Sequence, residues 1–227
     1  MLRNILFVMG MMGMANTVYA QNSVYIDQVG ENLNVNIVQD GNGNEVGNST
    51  TAVSLNGDDT TLDIDQVGDN NVLELTADGD DLNLTNNTSG SNNTLDVDVG
   101  GFSGADDVTI TQNVTGGSND VTVEVGGLAA GGNGADILLD IDGDSNVLNI
   151  SENSTATTLD ALLTDVDITG DSNTVDITHS GAGEHDTILE IIGSTNDVDI
   201  SQSGINDTSI DVSTDGSNGT INITITD

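Results

Sequence analysis

Histidine is the side chain that titrates nearest neutrality, and this chain of 227 residues has two, His179 and His185. Neither is spaced to meet a nucleophile or a cluster of metal ligands, so both are read as structural. The 38 Asp and Glu residues could in principle supply the paired carboxylates of a hydrolase. Their pattern speaks against it. Asp63, Asp65, Glu74, Asp96, Asp98, Glu124, Asp140, Asp176 and Asp211 alternate with aliphatic residues, which makes them the wet face of strands. No catalytic residue is expected, and the chain is read as a non-enzyme. One stretch has cation chemistry: Gly131-Gly132-Asn133-Gly134-Ala135-Asp136-Ile137-Leu138-Leu139 fits a calcium nonapeptide, and Gly100 to Asp107 echoes it imperfectly. Calcium needs 6–8 oxygen ligands, so neighbouring turns would have to complete its cage.

The amides carry a more regular message. Glycine recurs at 41, 68, 90, 116, 143, 170, 193 and 216, at intervals of 27, 22, 26, 27, 27, 23 and 23 residues. Three residues after each of the first seven comes an asparagine: Asn44, Asn71, Asn93, Asn119, Asn146, Asn173 and Asn196. Glutamines fall at inward strand ends, at Gln28, Gln39, Gln66, Gln112 and Gln202. Stacked amides hydrogen-bond along a column, satisfying buried polar groups while setting register.

Such a period implies stacked copies of one small unit. Between glycines the chain reads apolar-x-apolar, as in Leu62/Ile64 before Gly68 and Leu73/Leu75 after it. Period two over four or five residues is a half-buried strand, and helical spacing is nowhere sustained. The expected fold is all-β, a β-solenoid of about eight two-strand rungs built from strand-turn-strand repeats of 22–27 residues. Gly30, Gly41, Gly68, Gly143, Gly170 and Gly193 are expected at its corners, supplying positive φ. Insertions at 126–134 and 151–160 predict bulging corners there. The last strand, Thr220 to Thr226, and the first, around Val24 and Ile26, show no Lys, Pro or covering helix to blunt a sheet edge.

Composition limits the partners. Residues 1–20 read as a secretory signal peptide, with Arg3, an apolar stretch and Val18-Tyr19-Ala20 at a cleavage site. Residues 21–227 are then the folded repeat region. Arg3 is the sole cationic Lys or Arg, so its removal takes the formal charge from −37 to −38. A chain without cations cannot neutralise phosphates, which excludes ordinary nucleic-acid binding. No stretch in the repeat region approaches the roughly 20 apolar residues of a membrane helix. Cysteine and proline are both absent.

Gln28-Val29-Gly30 followed by Gln39-Asp40-Gly41-Asn42-Gly43-Asn44, then Gln66-Val67-Gly68-Asp69-Asn70-Asn71 and more loosely Gln202-Ser203-Gly204, resembles the curlin repeat of bacterial curli fibres. The resemblance implies a secreted subunit that polymerises with itself into extracellular amyloid for adhesion and biofilm matrix. It also implies a nucleator or companion subunit and an outer-membrane export apparatus, with no cofactor. By the same resemblance Gln28, Gln39, Gln66, Asn44 and Asn71 are inward ladder residues. A calcium-binding extracellular β-roll or adhesin is the alternative expectation.

Overall fold

A computed structural model describes residues 22–48, 50, 52–100, 107–126, 134–154, 162–181, 185–204 and 208–226. The signal segment, the interior of the Phe102 corner and residues 131–133 of the calcium-type run lie outside the described residues. Every regular element described is a strand. The first turn is broken into β1 (Asn22–Val24), β2 (Asp27–Val29), β3 (Asn34–Asp40), β4 (Asn44–Val46) and β5 (Val53–Asn56). The coil then becomes regular: β6 (Thr60–Val67), β7 (Asn71–Asp78), β8 (Leu82–Ser89), β9 (Asn92–Val99), β10 (Thr109–Thr115) and β11 (Ser118–Val125). It continues through β12 (Asp136–Asp142), β13 (Ser145–Ser154), β14 (Leu162–Thr169), β15 (Ser172–Gly181), β16 (His185–Ile192), β17 (Thr195–Ser203), β18 (Thr208–Asp215) and β19 (Thr220–Thr226).

Two parallel sheets result. One runs β3-β6-β8-β10-β12-β14-β16-β18, and the other β1-β4-β7-β9-β11-β13-β15-β17-β19, with β5 bridging β2 to β7. Each pair of successive even and odd strands from β6 onward is one rung. Eight strands in the first sheet span seven steps, about 34 Å at ~4.8 Å per step. The protein is thus an all-β solenoid, as the repeat spacing predicts.

Alternation decides which side chains go in. Leu62, Ile64, Leu73, Leu84, Leu95, Ile110, Val121, Ile137 and Leu148 are 0–1 % exposed and fill the space between the sheets. Removing each such side chain from water contributes roughly 1.5–3 kcal/mol. Register keeps like on like: Leu73 pairs with Leu95, then Val121, Leu148, Val175, Val198 and Ile221.

The corner glycines have a second reason that differs from the expected one. A Cβ on Gly68 would lie 1.5 Å from the Gly41 carbonyl oxygen, and one on Gly193 would lie 1.5 Å from that of Gly170. At Gly143 and Gly193 φ lies outside the left-handed region, yet a Cβ on Gly143 would still meet Gly116 O at 1.9 Å. Vertical stacking of corners, rather than positive φ, forbids a side chain there. The expected positive φ does hold at Gly30, Gly41, Gly68 and Gly170, at 140–159°, and non-glycine residues such as Asn70 at 60° and Asp81 at 57° share it. Of the corner expected at 151–160, residues 151–154 belong to strand β13, and the rest lies outside the described residues.

Candidate assembly faces and internal ladders

Each corner asparagine opens an odd-sheet strand and points inward. Asn44 Nδ2 donates to Asn71 Oδ1 at 3.1 Å, Asn71 to Asn93 at 3.0 Å, and Asn93 to Asn119 at 2.8 Å. The series continues from Asn119 to Asn146 at 2.8 Å, Asn146 to Asn173 at 2.9 Å, and Asn173 to Asn196 at 2.9 Å. Asn22, which the glycine spacing does not reveal, heads the column by donating to Asn44 Oδ1 at 3.1 Å. The second amide hydrogen is used locally: Asn146 and Asn173 donate to the carbonyls of Gly143 and Gly170, both at 2.8 Å. One side chain therefore ties corner to corner and rung to rung.

The glutamines do not form one ladder. Gln39 and Gln66 are register partners, and Gln66 Nε2 donates to Gln39 Oε1 at 3.0 Å. Above them the column passes through Thr88 and Val114 to Ile141, Ile168 and Ile191. Gln112 lies outside that column. It pairs with Asn86 below and Leu139 above, and both of its amide atoms are buried without a partner. Its offset of four residues from Gly116, against two for Gln39 and Gln66 from theirs, carried this signal. Gln28 begins a third column, in the other sheet, and Gln202 is its last member before Ile225.

That third column includes Glu152, which neither the glycine nor the glutamine spacing singles out. Ascending from Val125 it reads Glu152, His179 and Gln202. Glu152 and His179 are both 0 % exposed, with Glu152 Oε2 2.5 Å from His179 Nε2. Thr164 Oγ1 donates to Glu152 Oε2 at 3.0 Å and lies 3.0 Å from His179 Nε2. Gln202 Nε2 faces His179 Nδ1 at 3.2 Å and donates to Thr187 Oγ1 at 2.9 Å. The signal was present: Gln28, Glu152, His179 and Gln202 each follow a ladder asparagine by six residues.

The two ends of the stack differ from its middle. On β19, Ile221, Ile223 and Ile225 are 42 %, 46 % and 53 % exposed, although they continue inward columns. Beside them Ile210 and Val212 of β18 are only partly buried. At the opposite end a groove of about 620 Å³ opens between β1–β2 and β3, lined by Val24, Ile26, Gln28, Leu33, Val35 and Ile37. Each end presents an apolar strip flanked by strand edges.

Outward columns carry the charge. Asp140, Asp167 and Glu190 sit on three successive even-sheet strands in direct register. Unit charges one step apart repel by ~0.9 kcal/mol at the dielectric of water. Asparagines relieve this elsewhere: Asn87 donates to Asp65 at 2.8 Å, and Asn222 to Asp199 at 2.7 Å. On the odd sheet burial, then Asp96 and Glu45, raise the Glu74 carboxyl above its ordinary value. Burial, then Glu124, Asp96 and Asp78, do the same to Asp98.

Among the described residues no group of three His, Cys, Asp or Glu side chains could hold a metal ion, and no helix is long and apolar enough to cross a membrane. No family model, characterised protein or solved structure matches the chain.

Proposed function

We propose that the chain is the structural subunit of a secreted curli-like fibre, growing by addition of one copy's first rung to another copy's last. The observation that carries this reading is the match between the two end faces. Continuing the parallel register past β19 and β18 would place Val24 on Ile221, Val35 on Ile210 and Ile37 on Val212. Those three contacts are aliphatic on aliphatic, the same register sets Gln28 on Ile225 and Gln39 on Thr214, and both backbone ladders would be extended. A role in adhesion or biofilm matrix, with a nucleating companion and an outer-membrane exporter, follows from the curlin resemblance.

Electron microscopy of the purified chain, with elongation of sheared fibre seeds, tests the reading. Unbranched fibres should form, and Ile223→Lys should abolish elongation while leaving the β circular dichroism of the monomer intact, since Ile223 is half exposed. A chain that stays monomeric at high concentration and in high salt refutes it.

A further inference from the structure

We propose that Glu152, His179 and His185 form an acid-sensitive lock inside rungs β12–β13, β14–β15 and β16–β17, so that mild acid loosens this part of the stack selectively. The inference goes beyond the fibre reading and does not depend on it.

Among the described residues these three are the buried titratable side chains, each 0 % exposed. What faces them is otherwise uncharged: Thr164 from β14, Thr187 from β16 and Gln202 from β17. The carboxylates of the same strands, such as Asp165, Asp176 and Glu190, alternate to the outer face. Glu152 Oε2 lies 2.5 Å from His179 Nε2, so these two buried groups face each other as a pair, and neither stands alone in the core. Gln202 Oε1 has no partner, so a half-turn of its amide offers an acceptor to His179 Nδ1.

His185 is different. Its ring centroid lies 5.5 Å from that of His179, and neither of its nitrogens has a partner at full hydrogen-bond geometry, leaving only a weak backbone interaction at Gly181. A proton added there is a net charge in an aliphatic core, next to a second imidazole. Burial, then His179, lowers the His185 pKa below the ordinary 6.5, with Gly181 and Glu152 pulling the other way. Once these strands open, the ring protonates at its ordinary value. Between the two values the open form binds more protons, so protection is complete above about pH 6.5 and declines as the pH falls. The first half of the stack responds with the opposite sign. Its raised carboxyls, Glu74 and Asp98, bind protons more readily when folded, so acid favours those rungs. One solenoid thus carries an acid-labile block above an acid-tolerant one.

Segment-resolved hydrogen exchange on the full chain, from about pH 7.5 to about pH 5.5 and corrected for intrinsic rates, brackets the ordinary imidazole value. Amides of β14–β17 should lose protection as the pH falls below about 6.5, by at most tenfold per pH unit for a single proton, while β6–β11 hold or gain. His185→Leu, which continues the column of Leu162, should flatten the response. Equal acid lability in H185L, or uniform loss along the whole stack, overturns the lock. Should H185L fail to fold, a nitrogen-detected titration of the wild-type rings decides: His185 titrating at or above 6.5 overturns it, and depression below that value supports it.

Discussion

Asn119 Nδ2 donates to Asn146 Oδ1 at 2.8 Å, while Asn119 Oδ1 accepts from Asn93 Nδ2 at the same distance. All donors in the column point toward the later rungs, so the ladder has a direction. Nothing in a flat parallel sheet penalises a one-residue slip except the side chains. In this column a slip would replace a buried amide with an outward carboxylate or hydroxyl, which makes the ladder a register device as well as a source of hydrogen bonds.

Asn119→Ala should cost roughly 1–3 kcal/mol, because it leaves Asn93 Nδ2 and Asn146 Oδ1 without their partner. Asn119→Asp should cost more, since its carboxylate would face Asn146 Oδ1, acceptor against acceptor, in a buried column. Urea midpoints at constant slope measure both. If the two variants rank in the opposite order, Asn119 does not sit in a continuous buried amide ladder.

Gly170→Ala should be among the most damaging small changes, on the order of 3 kcal/mol or more. Its Cβ would sit 1.6 Å from the Gly143 carbonyl oxygen, in a stack where neither backbone can move alone. Gly117→Ala is the control, since its Cβ would meet nothing closer than Ser91 O at 3.4 Å. Thermal melts should separate the two variants by many degrees. Similar melting temperatures would show that the corners are looser than the stacking implies.

Gln112→Leu should stabilise the chain by about 1–3 kcal/mol, the penalty of a buried unsatisfied polar group. The amide of Gln112 has no partner at either atom, and the residue above it in the column is Leu139. Chemical denaturation measures the change. Destabilisation would reveal a partner for the amide, such as a buried water shared with Asn86 Nδ2.

Fibre growth should accelerate with salt. The Debye length falls from about 30 Å at 0.01 M to about 3 Å at 1 M, which uncouples carboxylate columns of neighbouring copies. Growth should also rise as the pH falls into the carboxylate range, because protonation removes the charge that makes neighbouring copies repel, and the raised Glu74 and Asp98 carboxyls contribute to that discharge. Thioflavin kinetics across both series provide the check, and rates indifferent to both variables would contradict it.

The repeat was legible because a solenoid is nearly one-dimensional. Gly68 and Asn71 contact their equivalents one rung away, so their spacing in the chain is their spacing in space. The alternation of Leu62 and Ile64 with Asp63 and Asp65 likewise reports inside and outside directly. At Gly143 the spacing marks a corner but not the Gly116 carbonyl stacked against it, which is what excludes a side chain there.

Chain order by itself therefore determined an all-β coil with its asparagine column and its acidic exterior, since each depends on neighbours at a constant offset. Only the tertiary structure decided which columns the glutamines join and that Glu152, His179 and Thr164 meet in one buried cluster. Those depend on how far β13 runs before turning and on which strand of the facing sheet lies opposite, quantities set by packing between sheets rather than by any local period.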